Sequence, residues 1–235
     1  MSGWAPKRFW KEATAEPCEG GFTVRLDGRP VKTPAKAPLV VPTRAMAKAL
    51  AAEWDAQEGV IRPETMPATR AANSAIDKVG PQRAEVAALI AAYGGSDLLC
   101  YRAERPQALV ARQAEIWDPL LAWAEARFAA PLAVTTGVIP VAQPEASLAR
   151  LTEQVTALSD FELAAFHDLV AISGSLVLAL ALTHRQIAAE AAWDASRIDE
   201  DWQIAEWGAD DEAAETAARR QTAFLDAHRF YGLCR

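Results

Sequence analysis

Cysteine is scarce and badly placed for structural chemistry. Cys18, Cys100 and Cys234 lie far apart, form no CxxC pair and are odd in number, so neither a disulfide framework nor a zinc site is expected. Histidine is as rare. His167, His184 and His228 have no HExxH setting and no i, i+4 partner, which argues against metal ligation. There is no GxxxxGK loop followed by Ser or Thr, and no GxGxxG after a strand, so the common nucleotide-binding loops are missing. Ser175 sits in SGSL rather than GxSxG and reads as a small packing residue, not a nucleophile. Long apolar runs are missing too: Leu169 to Leu182 is interrupted by Ser173, Gly174 and Ser175 and falls short of the roughly 20 residues that span a bilayer. The first residues, MSGWAPKRFWKEA, hold no apolar signal core and no Arg/Ser-rich import stretch, so a cytoplasmic location with no membrane insertion is expected.

What is present is enough for a sizeable core. The chain has 235 residues, 51% hydrophobic and 23% charged, which suits one large domain or two small ones. A net charge of -7 disfavours bulk binding to nucleic acid or anionic membrane, which requires a basic face. The charge is uneven. Residues 1 to 44 carry eight Lys and Arg against four acids, whereas residues 185 to 216 carry two Arg against ten acids. Taken alone, such polarity reads as two solvated faces.

Strand signals gather in the first third. Phe22, Val24 and Leu26 alternate with polar residues, Asp27-Gly28 is a two-residue hairpin turn with Gly28 as its structural glycine, and Pro30 confines the returning strand to an edge. Leu39 to Val41 predicts a third strand. Thr43 predicts the cap of a helix from about Arg44 to Gln57, and Arg70 to Val79 a shorter helix. Beyond Gly80-Pro81 the pattern is helical: 84 to 93, 107 to 117, 119 to 128 with Asp118 as cap and Pro119 as first helical residue, 147 to 158, and 211 to 229. Only 98 to 102 and 132 to 141 read as extended. The expected fold class is α+β, with a small N-terminal β-rich domain over 1–79 and a larger all-helical domain over 80–235.

The centre of the helical part is the stretch from Ser159 to Gly208. Ser159 and Glu162 have capping-box spacing, and Thr183 with Gln186 repeats it. Two helices are therefore predicted, an apolar one followed by an acidic one that Gly208 stops. Asp199, Glu200 and Asp201, then Asp210, Asp211 and Glu212, offer the only acidic clusters for a metal site, and a metal-dependent hydrolase is the alternative function they would support. Three consecutive helical residues point three ways, however, so 199 to 201 do not converge on one ion unaided. Trp193, Trp202 and Trp207 fall in the same stretch. Large rings among charges suit a protein interface or, equally, internal packing.

Four blocks, GGFTVRLDGRPVKTPAKAPLVVP, AAEWDAQEGVIRPETMPATRAANSAID, SGSLVLALAL and DEDWQIAEWG, resemble in that order the "ATP-twelve" family of assembly chaperones for the F-type ATP synthase. The resemblance runs from about Arg8 to Glu212. It implies a non-enzymatic chaperone, monomeric when free, without cofactor, metal or small-molecule substrate, that holds the free alpha subunit until the beta subunit replaces it. It also implies a partner-binding block at Asp199, Glu200, Asp201, Trp202, Gln203 and Trp207, continued by Asp210, Asp211 and Glu212 and closed by Gly208. Trp54, in EWDAQ, is assigned to packing between helix and sheet.

Overall fold

The Asp27-Gly28 turn forms as its residues require. Both take positive φ, 49° and 78°, the conformation of a two-residue type I′ hairpin. It joins β2 (Gly21–Leu26) to β3 (Arg29–Pro30), with Leu26 paired to Arg29. The Asp27 carboxylate also accepts from the backbone amides of Lys11 and Glu12. Those residues lead into a strand that the sequence pattern did not announce, β1 (Ala13–Cys18), antiparallel to β2 from Ala13↔Leu26 to Cys18↔Gly21. Pro17 and the half-buried residues of β1 obscure its period, since an edge strand has less to bury. The short β4 (Val40–Val41) pairs with the start of β2 and completes a four-stranded sheet.

The computed structural model describes residues 7–137, 139–208 and 210–235. The class is α+β, and the chain divides into two units. The first comprises residues 1–83, 159–165 and 229–235, the second residues 84–158 and 166–228. A single cut between 79 and 80 falls near the end of the first segment, but the two later segments also belong to the first unit.

In the first unit, α1 (Arg44–Asp55) starts at Thr43, whose hydroxyl accepts from the Met46 amide at 3.1 Å. Met46, Ala47, Leu50 and Ala51 form its buried face, the i, i+1, i+4, i+5 pattern of an amphipathic helix. The EWDAQ motif at its end is consumed by internal contacts. The Glu53 carboxylate accepts from the amides of Ala68 and Thr69 at 2.7 and 2.8 Å, capping α2 (Pro67–Ser74) from outside the helix. Asp55 pairs with Arg8 at 3.1 Å. Gln57, buried, bridges Glu53 and Thr65 and accepts from the Arg62 amide. Trp54 meets the buried Trp10 edge to face, centroids 5.3 Å apart, and Arg8 lies over the Trp10 ring at 5.4 Å. Asp77, from a π-helical turn after α2, accepts from the Thr33 hydroxyl at 2.6 Å and the Ala35 amide at 3.0 Å.

The second unit contains α3 (Arg83–Ala91) beyond its first residue, β5 (Tyr101–Arg102) parallel to β6 (Thr135–Thr136), α4 (Gln107–Phe128) and α5 (Glu145–Thr156). Two helices were predicted where α4 is one. Pro119 stands inside it, on the exposed side, while Trp117 and Leu120 are buried; packing of the flanking residues outweighs one lost backbone bond. Asp118 binds Arg102 at 2.7 Å instead of capping.

The predicted apolar helix is also divided, into α6 (Asp160–Ser173) and α7 (Leu176–Thr183). The Ser159/Glu162 box forms at its start. Gly174, at φ 73°, ends α6 in the left-handed conformation that glycine adopts at least cost. Ser175 then caps α7, accepting from the Leu178 amide at 3.0 Å. Leu176 to Leu182 are all buried. The second capping box does not form: the Thr183 hydroxyl donates back to the Ala179 carbonyl at 2.8 Å, and the next helix, α8 (Ala189–Ser196), begins later. No described helix is long and apolar enough to cross a membrane.

Two expectations follow for the first unit. Trp54→Arg removes a ring from the Trp10 contact and adds a second guanidinium beside the one Arg8 supplies, and should lower stability by about 3 kcal/mol; an unshifted urea midpoint would count against this. Glu162 is the other. Burial pushes its pKa up, but the Ser159 amide, the Arg235 guanidinium at 2.7 Å and the Ser159 hydroxyl together hold it below its ordinary value of 4.5. A depressed carboxylate pKa gives stability that is present above the unfolded value and is lost as pH falls through the folded one. Melting temperature should therefore fall more steeply in the wild type than in Glu162→Gln between about pH 5 and pH 3.

Candidate functional site

The acidic stretch is two helices rather than one. After α8 the chain turns at Arg197 (φ -117°, ψ 11°) into α9 (Ile198–Trp207). The corner is held from below by α4. Trp117, fully buried, donates its indole N–H to the Ala195 carbonyl at 2.8 Å. Gln113, also buried, donates through Nε2 to the Asp199 carboxylate at 2.5 Å and accepts from the Ala103 amide at 2.9 Å. Ile198 is the buried residue of α9. The first turn is thus fixed, and the helix runs outward from it.

The acids of the predicted block have separate fates, as consecutive helical positions dictate. Asp199 is occupied by Gln113. Asp201 pairs one turn back with Arg197 at 3.4 Å, and the Arg197 guanidinium lies 5.5 Å from the centroid of the Trp193 ring. Glu200 is exposed. Asp210 accepts from the Glu212 amide at 3.0 Å, capping α10 (Asp211–Gly232), with Asp211 and Glu212 exposed in its first turn; there they favour the positive end of the helix dipole. Among the described residues no three His, Cys, Asp or Glu side chains are placed to hold a metal ion. Burial pushes the thiols of Cys100 and Cys234 up to about 12, so neither is an activated nucleophile.

The tryptophans separate as well. Trp193 is buried beside Phe224. Trp202 is half-buried. Trp207 is 81% exposed, the most exposed large apolar side chain among the described residues. Gly208 donates its N–H to the Ile204 carbonyl at 2.9 Å and ends the helix. Gln203, Ile204 and Glu206 are exposed on this outer part, Ile204 by 38%. Sequence reasoning missed Gln113, which lies far away in the chain and carries no local signal. It also missed Ile204, whose spacing of four from Glu200 and three from Trp207 on a polar helix was a signal available to it.

The described outer part of α9 therefore carries exposed carboxylates at Glu200 and Glu206, an exposed indole and an exposed aliphatic side chain, on a helix anchored at one end. Residues 7–125 match the family described as "ATP12 chaperone protein", half of the chain. The chain belongs to the ATP12 chaperone family. Over 221 residues it is 25% identical to the mitochondrial protein atp12 of Schizosaccharomyces pombe, covering 89% of this chain and 76% of that one. The crystal structure of Atp12 from Paracoccus denitrificans is 51% identical over 97% of this chain and 98% of its own, with a TM-score of 0.95. A solved protein of Agrobacterium tumefaciens is 42% identical over 98% and 87%, with a TM-score of 0.94. The family match covers the LDGRPVKTPA and EWDAQ blocks, whose polar residues serve the internal contacts of the first unit. The acidic helix of this ATP12 family member lies outside that match.

The two neighbouring acids should respond differently to truncation. Asp199→Ala leaves the buried Gln113 amide unpaired and should cost about 1 to 2 kcal/mol. Glu200→Ala should stay within about 0.5 kcal/mol of the wild type. Chemical denaturation of the two variants side by side checks this, and equal losses would contradict the assigned geometry.

Proposed function

We propose that this chaperone acts in assembly of the F-type ATP synthase by holding the free alpha subunit, preventing its aggregation until the beta subunit takes its place, and that it docks through the outer part of α9 and the start of α10. The single observation that carries the reading is Trp207: an indole left 81% exposed at the tip of an acidic helix. Exposed aromatic area is unfavourable in water and is concentrated at sites that a partner covers. An unassembled subunit exposes the surface its neighbour would bury, and Trp207 with Ile204 offers apolar cover for it. Glu200, Glu206, Asp211 and Glu212 supply charge for basic side chains on the same surface, favouring encounter and register more than tightness. A chaperone that must be displaced suits an interface of ordinary size, roughly 1,200 to 2,000 Å². No catalytic step is part of this reading, and the acids serve recognition.

Co-expression of the alpha subunit with and without this chain tests the proposal through the soluble fraction of alpha. Soluble alpha should rise with the wild type. The double variant Glu200→Lys with Trp207→Ala should lose most of that effect while keeping its melting temperature, because both side chains are exposed. Alpha that is equally insoluble with and without the wild-type chain would refute the reading.

A further inference from the structure

Docking through α9 makes no use of the block LDGRPVKTPAKAP in the first unit. From Gly28 to Ala52 the sequence holds five Lys and Arg (29, 32, 36, 44 and 48) and no acid, in a chain of net charge -7. Within this stretch a second hairpin follows β3. Lys32 pairs antiparallel with Pro38, the Thr33 amide donates to the Ala37 carbonyl at 2.9 Å, and the Lys36 amide donates to the Thr33 carbonyl at 2.8 Å. Pro34, Ala35 and Lys36 therefore make a three-residue loop.

The last position of such a loop takes positive φ and is ordinarily glycine. Here it is Lys36, at φ 69°, a conformation that a residue with a Cβ adopts only at a cost. Backbone outliers of this kind gather where the chain is held for a function. Two side chains hold this one. The Thr33 hydroxyl accepts from the Ala37 amide at 3.1 Å and closes the loop from within. Asp77, from the π-helical turn after α2, accepts from that hydroxyl at 2.6 Å and from the Ala35 amide at 3.0 Å, and clasps the loop from outside. Thr33 is buried, whereas Pro34, Ala35 and Lys36 are exposed.

Lys32 and Lys36 stand exposed on this hairpin, and Lys78, next in the chain after the clasping Asp77, is exposed as well. None of the three side chains forms an ion pair or hydrogen bond among the described residues. The Asp77 carboxylate, which touches the loop, is already engaged by Thr33 and Ala35. Carboxylates from outside are the complement that such cations lack. A phosphate polymer or an anionic membrane asks for a wide basic face, and the loop tip has no large apolar side chain to enter a bilayer. An acidic protein segment needs only a few separate point charges.

We propose that the 32–38 hairpin is a second docking site, taken by an acidic segment of a partner protein whose Asp or Glu side chains pair with Lys32, Lys36 and Lys78. The proposal does not depend on docking through α9, which offers charge of the opposite sign. A loop fixed before the partner arrives loses little freedom on binding, so modest surface ion pairs suffice to hold the segment.

The test titrates the full chain, at low salt, into a labelled peptide of glutamate and glycine and a control with serine in place of glutamate, read by fluorescence anisotropy. The glutamate peptide should bind despite the net negative charge of the chain, and the serine peptide about tenfold or more weakly. Lys36→Gly should weaken the glutamate peptide about threefold while keeping or raising the urea midpoint, because glycine suits the positive φ. Lys36→Arg should retain binding. Asp77→Ala removes a negative charge, yet should weaken binding about threefold because it releases the loop. Undiminished binding by Lys36→Gly or by Asp77→Ala overturns the rigid basic site, as does a lowered midpoint in Lys36→Gly. Equal binding of the two peptides overturns the acidic occupant. Phosphatidylserine vesicles bound as tightly as the glutamate peptide, or a dimer of the wild type that Lys36→Gly dissociates, would give the hairpin to a membrane or to a second copy and overturn the proposal as well.

Discussion

A buried carboxylate organises the second unit. Asp97 is completely inaccessible, and burial pushes its pKa up against the hydrogen bonds it receives from Ser175, Val177 and Leu99. Those bonds explain its place. The Ser175 hydroxyl donates at 2.7 Å and the Val177 amide at 3.0 Å, both at the start of α7, while the Leu99 amide donates at 3.1 Å from the turn after Asp97. A helix that is apolar on every side has its first amides buried with it, and without acceptors each would carry a penalty comparable to a lost hydrogen bond. Asp97 and Ser175 remove that penalty together. With α7 started in the core, α8 and then α9 leave it in fixed directions, and the anchoring of α9 on Gln113 and Trp117 becomes possible.

Along α9 the environment grades from committed to open. The N-terminal turn has a buried isoleucine, a carboxylate bound to a buried amide and an ion pair one turn back. The C-terminal turns have an indole and an aliphatic side chain in water. That gradient is what a presenting element needs, because a rigid base limits the entropy lost when the tip is covered. The opposite arrangement holds in the first unit, where Glu53, Gln57 and Asp77 turn inward to hold loops and helix ends. Charged residues of similar type thus play two roles, and only their partners distinguish them.

The parts of this organisation that were legible in the sequence are the local ones. Asp27-Gly28 specifies its turn through the φ values it tolerates, Thr43 and Ser159 cap the helices they precede, and the mixed α+β class follows from the change in periodicity after Gly80. What could not be read depends on distant partners. Pro119 breaks an isolated helix but not one whose neighbours Trp117 and Leu120 are buried. Gly174 and Ser175 look like small residues in a continuous apolar helix until Asp97 supplies the second acceptor. Asp199 and Glu200 are indistinguishable as adjacent acids, and it is Gln113, far earlier in the chain, that makes one structural and leaves the other free.

The hydroxyl that caps α1 has a second partner. Thr43 donates to the Leu233 carbonyl at 2.5 Å across 190 residues of sequence, and Arg235 reaches Glu162 in the same unit. Contacts of such separation close very large loops, and folding that depends on them is slow compared with folding through local contacts. The hairpin and α1 leave the ribosome early, yet the segment from 229 to 235 that completes their unit arrives only after the whole helical portion has been made. The contacts that tie the small sheet's unit to 229–235 can therefore form only after the residues of the second unit have been made.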